Sequence, residues 1–97
     1  MPTRDVLESF WRDWADLTPQ QKEAFRRAVA KLVDDLRARR GIRAGLRVKG
    51  VQGAPGIFEL TRAPDGRATF SYGEPVVEGE PHVIWRRIGT HDVLREP

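Results

Sequence analysis

Ile57-Phe58-Glu59-Leu60-Thr61-Arg62-Ala63-Pro64-Asp65-Gly66-Arg67-Ala68-Thr69-Phe70-Ser71-Tyr72 is the clearest hairpin in the chain. Phe58 and Leu60 alternate with Glu59 and Thr61, and Phe70 alternates with Thr69 and Ser71. That period of two sends successive side chains to opposite faces of a strand. Ala63-Pro64-Asp65-Gly66 between them is turn chemistry, because proline pre-sets φ and glycine tolerates what a side chain resists. The stretch predicts two antiparallel strands with Phe58, Leu60 and Phe70 toward a core, and Glu59, Thr61, Arg67, Thr69 and Ser71 on the open face.

Upstream, Leu46-Arg47-Val48-Lys49 also alternates, which predicts another strand with Leu46 and Val48 inward and Arg47 and Lys49 together on the open face. The Gly50–Gly56 segment reads as a loop. Downstream, Gly73 to Pro81 is rich in Pro, Gly and Glu and reads as an exposed, mobile loop. His82-Val83-Ile84-Trp85-Arg86-Arg87-Ile88 then forms the last predicted strand, running into Gly89-Thr90-His91-Asp92-Val93-Leu94. An arginine falls on each face of that strand, so parity leaves open whether Arg86 or Arg87 looks onto the open face.

The first part of the chain has a helical period. Leu7, Phe10, Trp11 and Trp14 stand at i, i+3, i+4 and i+7, and Leu17 continues the stripe. At this spacing Trp11 and Trp14 read as core or partner-facing residues rather than a base-stacking pair. Thr18-Pro19 reads as an N-cap followed by proline at the first helical position, where its missing N–H goes unmissed. Phe25, Ala28, Val29, Leu32, Val33 and Leu36 carry the second helix, Arg37, Arg39 and Arg40 suit its negative end, and Gly41 is placed to close it. The expectation is one α+β domain over residues 1–97. An antiparallel two-helix hairpin over 1–40 packs on one face of a four-stranded, mainly antiparallel sheet over 45–97, leaving the other face bare and basic.

Composition narrows the function. A chain of 97 residues buries only a thin core, so a site belongs on a sheet face or rim. There is no cysteine and there are 2 histidines, which argues against disulfides and Cys-rich zinc sites, and no metal or cofactor is expected. Neither an apolar signal core nor a membrane-length apolar run is present, so a cytoplasmic, soluble protein is expected. The net charge is only +3, but it is segregated. Arg43, Arg47, Lys49, Arg62 and Arg67 face Glu59 and Asp65 across residues 41–73, whereas residues 74–81 hold Glu74, Glu78 and Glu80 and no base. Positive strands beside an acidic loop suggest a polyanion site with one edge excluded. The ordinary alternative is a solvated surface, and the ordinary reading of His91 is a hydrogen-bonded terminal histidine near Asp92. His82, beside Pro81, reads as structural.

Four segments in order resemble the RelE/ParE superfamily of bacterial toxin–antitoxin toxins, in its RelE/YafQ-like branch. Phe10-Trp11-Arg12-Asp13-Trp14-Ala15-Asp16-Leu17-Thr18-Pro19 resembles the first helix and its junction, and Gly53-Ala54-Pro55-Gly56-Ile57-Phe58-Glu59-Leu60 the approach to the following strand. Arg67-Ala68-Thr69-Phe70 resembles the strand whose arginine is catalytic in RelE and YoeB relatives. Arg87-Ile88-Gly89-Thr90-His91 is similar to the YafQ-like ending whose histidine is catalytic. There are departures. The family usually places a strand before its helices, where these residues read as helical. Thr61 stands where YafQ-like relatives have a catalytic histidine, and the positions of RelE's basic residues on that strand fall near Glu59 and Thr61. Asp65 matches an acidic position in the YafQ-like turn, and Leu94 or Arg95 replaces an aromatic.

The resemblance implies a metal-independent endoribonuclease that cuts mRNA on the ribosome and so inhibits translation. The 2′-hydroxyl attacks the adjacent phosphate, leaving a 2′,3′-cyclic phosphate and a 5′-hydroxyl. It implies His91 as general acid or base, since a histidine's ordinary pKa of about 6.5 suits proton exchange near neutrality. Arg67 and Arg87, with Lys49 in support, would stabilise the phosphorane, and Arg47, Arg62 and Arg86 would hold flanking phosphates. The implied partners are the ribosome, mRNA and a cognate antitoxin that covers the basic site. Alternatives are a ParE-like protein that inhibits DNA gyrase without cutting, and a decayed toxin that keeps only antitoxin binding.

Overall fold

The computed structural model describes residues 2–97, and Met1 lies outside the described residues. The element order is β1 (Thr3–Val6), α1 (Glu8–Ala15), α2 (Pro19–Ala38), a 3-10 turn (Ala44–Leu46), β2 (Lys49–Gly50), β3 (Ile57–Ala63), β4 (Gly66–Gly73), β5 (His82–Thr90) and a second 3-10 helix, here η2 (His91–Arg95). The fold is α+β. The sheet has five strands rather than four, in the order β1-β5-β4-β3-β2.

The added strand is β1, in residues read as helical. Thr3–Val6 pairs in parallel with β5, with Thr3 opposite His82 and Val6 opposite Trp85. The His82 ring clamps the pair, with Nδ1 2.7 Å from the Thr3 hydroxyl and Nε2 2.9 Å from Asp5 Oδ2. A carboxylate only accepts, so Nε2 carries a proton, and the Thr3 hydroxyl serves Nδ1 as either donor or acceptor. His82 is buried and structural.

The helices do not form the expected hairpin lying side by side on one face. The eight-residue α1 lies along β5, whereas α2 packs on β3. They meet through rings: Phe10 is 5.4 Å and Trp14 5.7 Å from Phe25 between centroids. The start of α2 is as expected, with a complete capping box between Thr18 and Gln21 and Pro19 in the first turn. Its end differs from expectation. Arg39, not Gly41, takes the left-handed cap conformation (φ 55°), and its guanidinium donates to the Gly79 carbonyl.

The predicted strand Leu46–Lys49 forms only at Lys49–Gly50. Leu46 ends a 3-10 turn, and Arg47 is left-handed at φ 51°, which breaks the alternation that would have put Arg47 beside Lys49. The β3–β4 hairpin forms as read, with Phe58 opposite Phe70 and Leu60 opposite Ala68. Leu60, Ala68 and Phe70 are fully buried with Leu32, Trp85 and Ile88 in the single core.

β5 contains one extra residue. Phe70 pairs with Trp85 and Thr69 with Arg87, so Arg86 is the bulge. Beyond it, α1 replaces a strand as the neighbour of β5. The Ser9 hydroxyl donates to the Arg86 carbonyl at 2.7 Å, and Asp13 Oδ2 accepts the Ile88 N–H at 3.0 Å. The same carboxylate accepts from Arg87 Nε at 2.7 Å and, through Oδ1, from Nη2 at 3.2 Å. That contact holds the Arg87 guanidinium above its usual pKa.

The face opposite the helices is not bare. η2 folds back over it, burying Val93 and contributing to the complete burial of Thr69. Gly89 permits this, because a Cβ there would lie 2.9 Å from Val93 Cγ1.

Asp13→Ala removes a charged pair and leaves the Ile88 N–H without its acceptor, so it is expected to cost about 3 kcal/mol in urea unfolding. Asp13→Asn keeps an acceptor and is expected to cost about half as much. Equal costs would show that the backbone bond contributes nothing.

Candidate active site

Two clefts are lined in part by the last residues of the chain, one by His91, Leu94 and Arg95 and the other by Glu96 and Pro97. The first has a volume of about 580 Å³ and is lined by Lys49 of β2, Glu59 of β3, Arg67 of β4, His91, Leu94 and Arg95 of η2, and the Gly50–Gln52 loop. Three residues expected to be catalytic, Lys49, Arg67 and His91, thus share one cleft.

Glu59 occupies its centre. Lys49 and Glu59 are cross-strand partners, and Arg67 is opposite Thr61, one diagonal step away. Lys49 Nζ is 3.9 Å and Arg67 Nε 3.8 Å from the same oxygen, Glu59 Oε1. Neither distance is a hydrogen bond, so the three groups interact through space. The exposures are unequal: the Glu59 side chain is 8 % exposed, Arg67 16 % and Lys49 72 %. Arg67 is tied over the β3–β4 turn, where Nη1 donates to Gly66 O at 3.1 Å and Pro64 O at 3.3 Å. Its Nε is buried with no hydrogen-bond partner. Arg67 Nε and Glu59 Oε1 are therefore close neighbours that are not hydrogen-bonded to each other. His91 is exposed at the start of η2, a turn fixed by the Thr90 hydroxyl, which accepts the Asp92 N–H at 3.3 Å.

Sequence reasoning placed Glu59 beside Thr61 on an open face and missed its burial in this cleft. The signal was its cross-strand position between two cation-bearing strands. Thr61 lines a different, small cleft with Arg27, Lys31 and Arg62, and the β3–β4 register slips between Thr61 and Ala63.

The remaining candidates lie elsewhere. Arg87 and Arg86 both enter the second cleft, about 360 Å³, with Arg12, Asp13, Glu96 and Pro97. Arg62 donates from Nη2 to Gly89 O at 3.0 Å, and burial lowers its pKa. Arg47 is exposed and lines neither cleft.

No family model matches the sequence, and no curated protein matches it. Solved structures do match the fold. YafQ from E. coli strain BL21(DE3) aligns with a TM-score of 0.63 at 14 % identity, over 97 % of this chain and 98 % of that one. The RelB–RelE antitoxin–toxin complex from Methanococcus jannaschii gives 0.61 at 11 %, covering 95 % of each chain. Its fold is that of the RelE, YafQ and ParE toxins. A YoeB/ParE toxin from Agrobacterium tumefaciens agrees, at 0.56 and 20 % identity over 92 % of this chain and 98 % of that one. Within this RelE/YafQ-like fold, β1 fills the place of the strand that the family resemblance led one to expect.

Glu59 supplies the cleft with a built-in anion. Glu59→Gln leaves Arg67 and Lys49 without a counter-charge, so inorganic phosphate is expected to raise the melting temperature of the variant more than that of the wild type. Identical phosphate dependence would mean that the carboxylate does not screen these cations.

Proposed function

We propose that this chain is a toxin of a toxin–antitoxin pair that cleaves ribosome-bound mRNA by metal-independent transesterification. The observation that carries this reading is a buried carboxylate, three cations and a histidine converging on one cleft from β2, β3, β4 and η2. Supporting it, the fold recurs in the DinJ–YafQ toxin–antitoxin complex of E. coli and in RelB–RelE.

The substrate phosphate enters the cleft beside Glu59, Arg67 and His91. The Glu59 carboxylate accepts the proton of the 2′-hydroxyl as its oxygen attacks phosphorus. The Arg67 guanidinium, whose Nε is buried, acts through its field, and the exposed Lys49 Nζ acts directly, on the charge that builds on the non-bridging oxygens. The bond to the 5′-oxygen breaks, and His91 as imidazolium delivers a proton to that leaving oxygen. One proton is taken and one given, leaving a 2′,3′-cyclic phosphate and a 5′-hydroxyl. Arg87 does not share this cleft, and its role in our reading is to bind a flanking part of the strand. The low overall charge suits a substrate presented by the ribosome better than tight binding to free RNA. The antitoxin, in this reading, closes the cleft with acidic residues directed at Arg67 and Lys49.

The test is to map mRNA 5′ ends in a purified translation reaction with and without ribosomes. His91→Ala and Glu59→Gln are each expected to slow ribosome-dependent cutting by about 10² to 10⁴. Intact mRNA with the wild type, in cells whose growth still stops, would refute the nuclease reading and favour a ParE-like gyrase binder. Intact mRNA with normal growth would leave a decayed toxin.

A further inference from the structure

A groove between β1, α1 and α2 takes no part in the chemistry above. Its volume is about 450 Å³; Val6, Trp11, Trp14 and Val29 make it apolar, and Arg4 and Arg26 line it as cations. Trp11 is 55 % exposed. The Arg26 guanidinium lies 5.5 Å and Lys22 Nζ 5.6 Å from the centre of the Trp14 ring. Arg26 also meets Glu23 at 3.7 Å, an exposed pair of the kind that contributes little. Arg4 is exposed and has no hydrogen bond or ion pair to any described residue.

The loop between β4 and β5 presents the complementary surface. Val76 and Val77 are 70 % and 49 % exposed, and the exposed Glu74 and Glu78 flank them. The segment read from sequence as mobile is held in a turn. The Glu80 N–H donates to Val77 O at 3.0 Å, Gly79 takes a φ of 79°, and the Arg39 guanidinium holds the Gly79 carbonyl. A turn that is already formed loses little freedom on docking. Loop and groove stand at opposite ends of β1. Pro81, where the loop ends, accepts the Thr3 N–H, whereas Val6 and Trp85 line the groove. No residue of the loop lines the groove of its own molecule.

We infer that this chain pairs with a second copy of itself, the Val76–Val77 turn of each molecule seated in the Trp11–Trp14 groove of the other. The apolar turn meets the aromatic groove, and Glu74 and Glu78 meet Arg4 and Arg26. Because the two surfaces stand at opposite ends of one edge, a two-fold axis across that edge forms both contacts at once and closes the pair instead of leaving an open chain. Stable interfaces bury about 1,200 Å² or more in all, more than one short turn supplies, so the doubled contact is what makes the pair stable. The cleft of Glu59, Arg67 and His91 shares no lining residue with the groove and includes none of the loop.

Sedimentation equilibrium of the full chain, over a range of protein and salt concentrations, tests this. The wild type is expected to pass from monomer to dimer as its concentration rises, and less readily at high salt. Glu74→Lys with Glu78→Lys reverses the charge of the loop, and Arg4→Glu with Arg26→Glu that of the groove; all four positions are exposed. Each double variant alone is expected to dimerise about tenfold more weakly or worse, because like charges then meet at both contacts. An equal mixture of the two is expected to regain the wild-type affinity within a few-fold, since a mixed pair joins opposite charges at both contacts. That recovery separates a lost contact from a lost fold. Arg4→Glu alone, which breaks no contact of the fold, is expected to weaken the pair several-fold. A wild type that stays monomeric at every concentration would overturn the inference. So would a dimer that Arg4→Glu and the loop variant leave unweakened, or two folded double variants that stay apart when mixed.

Discussion

Trp85 and Ile88 are three residues apart on β5, yet both are buried in the same core. A regular strand sends residues of odd separation to opposite faces, so this arrangement requires one extra residue between them, and Arg86 is that residue. Much of the molecule follows from it. Without the bulge, either the Trp85 ring, 5.3 Å from Phe70 and 5.0 Å from Phe25, or the Ile88 side chain would leave the core. With it, two adjacent arginines open into one cleft, and α1 can take over the edge of β5 through Ser9 and Asp13. The bulge thereby links helix, sheet and charged surface in a few residues.

What was legible in the sequence was what local chemistry determines. Thr18-Pro19 marked the start of α2, and Pro64-Asp65-Gly66 with its flanking alternation marked the β3–β4 hairpin. What was illegible depends on distant partners. β1 has only four residues and little apolar character, and it is a strand because His82, 79 positions away, receives Thr3 and Asp5. Leu46-Arg47-Val48-Lys49 had the right period, but its backbone turns at Arg47 to bring Leu46 into the core, which no period reveals. The candidate site divides in the same way. Lys49, Arg67 and His91 could be named from residue type and order. Glu59 as their buried neighbour could not, because its burial depends on η2 lying over a face that alternation alone would leave in solvent.

The distribution of charge follows from that covering. A cluster of cations on an open sheet would bind any polyanion. Here Arg67 is drawn under the turn carbonyls and Glu59, Arg87 is matched by Asp13, and Arg86 by a main-chain oxygen. The resting surface is therefore less basic than its arginine count suggests. On the proposed function, affinity for a free strand is then modest, and specificity comes from geometry that a large partner imposes.

A carboxylate held among the cations that must receive a phosphate looks like an obstacle, since it repels the ground state. On the proposed chemistry it is an asset. Before reaction, Lys49 and Arg67 divide their field between Glu59 and the phosphate, so the substrate is bound weakly. As the 2′-hydroxyl proton moves to Glu59, its negative charge disappears at the moment when negative charge accumulates on phosphorus. The same two cations, without moving, then act on the phosphorane alone. The interaction is stronger in the transition state than in the ground state, which is the condition for raising rate rather than affinity. The gap of 3.8 Å between Arg67 Nε and Glu59 Oε1 fits that requirement. A direct hydrogen bond would tie the guanidinium to the base and have to break, whereas a through-space contact lets its field act on the new charge with no bond to break.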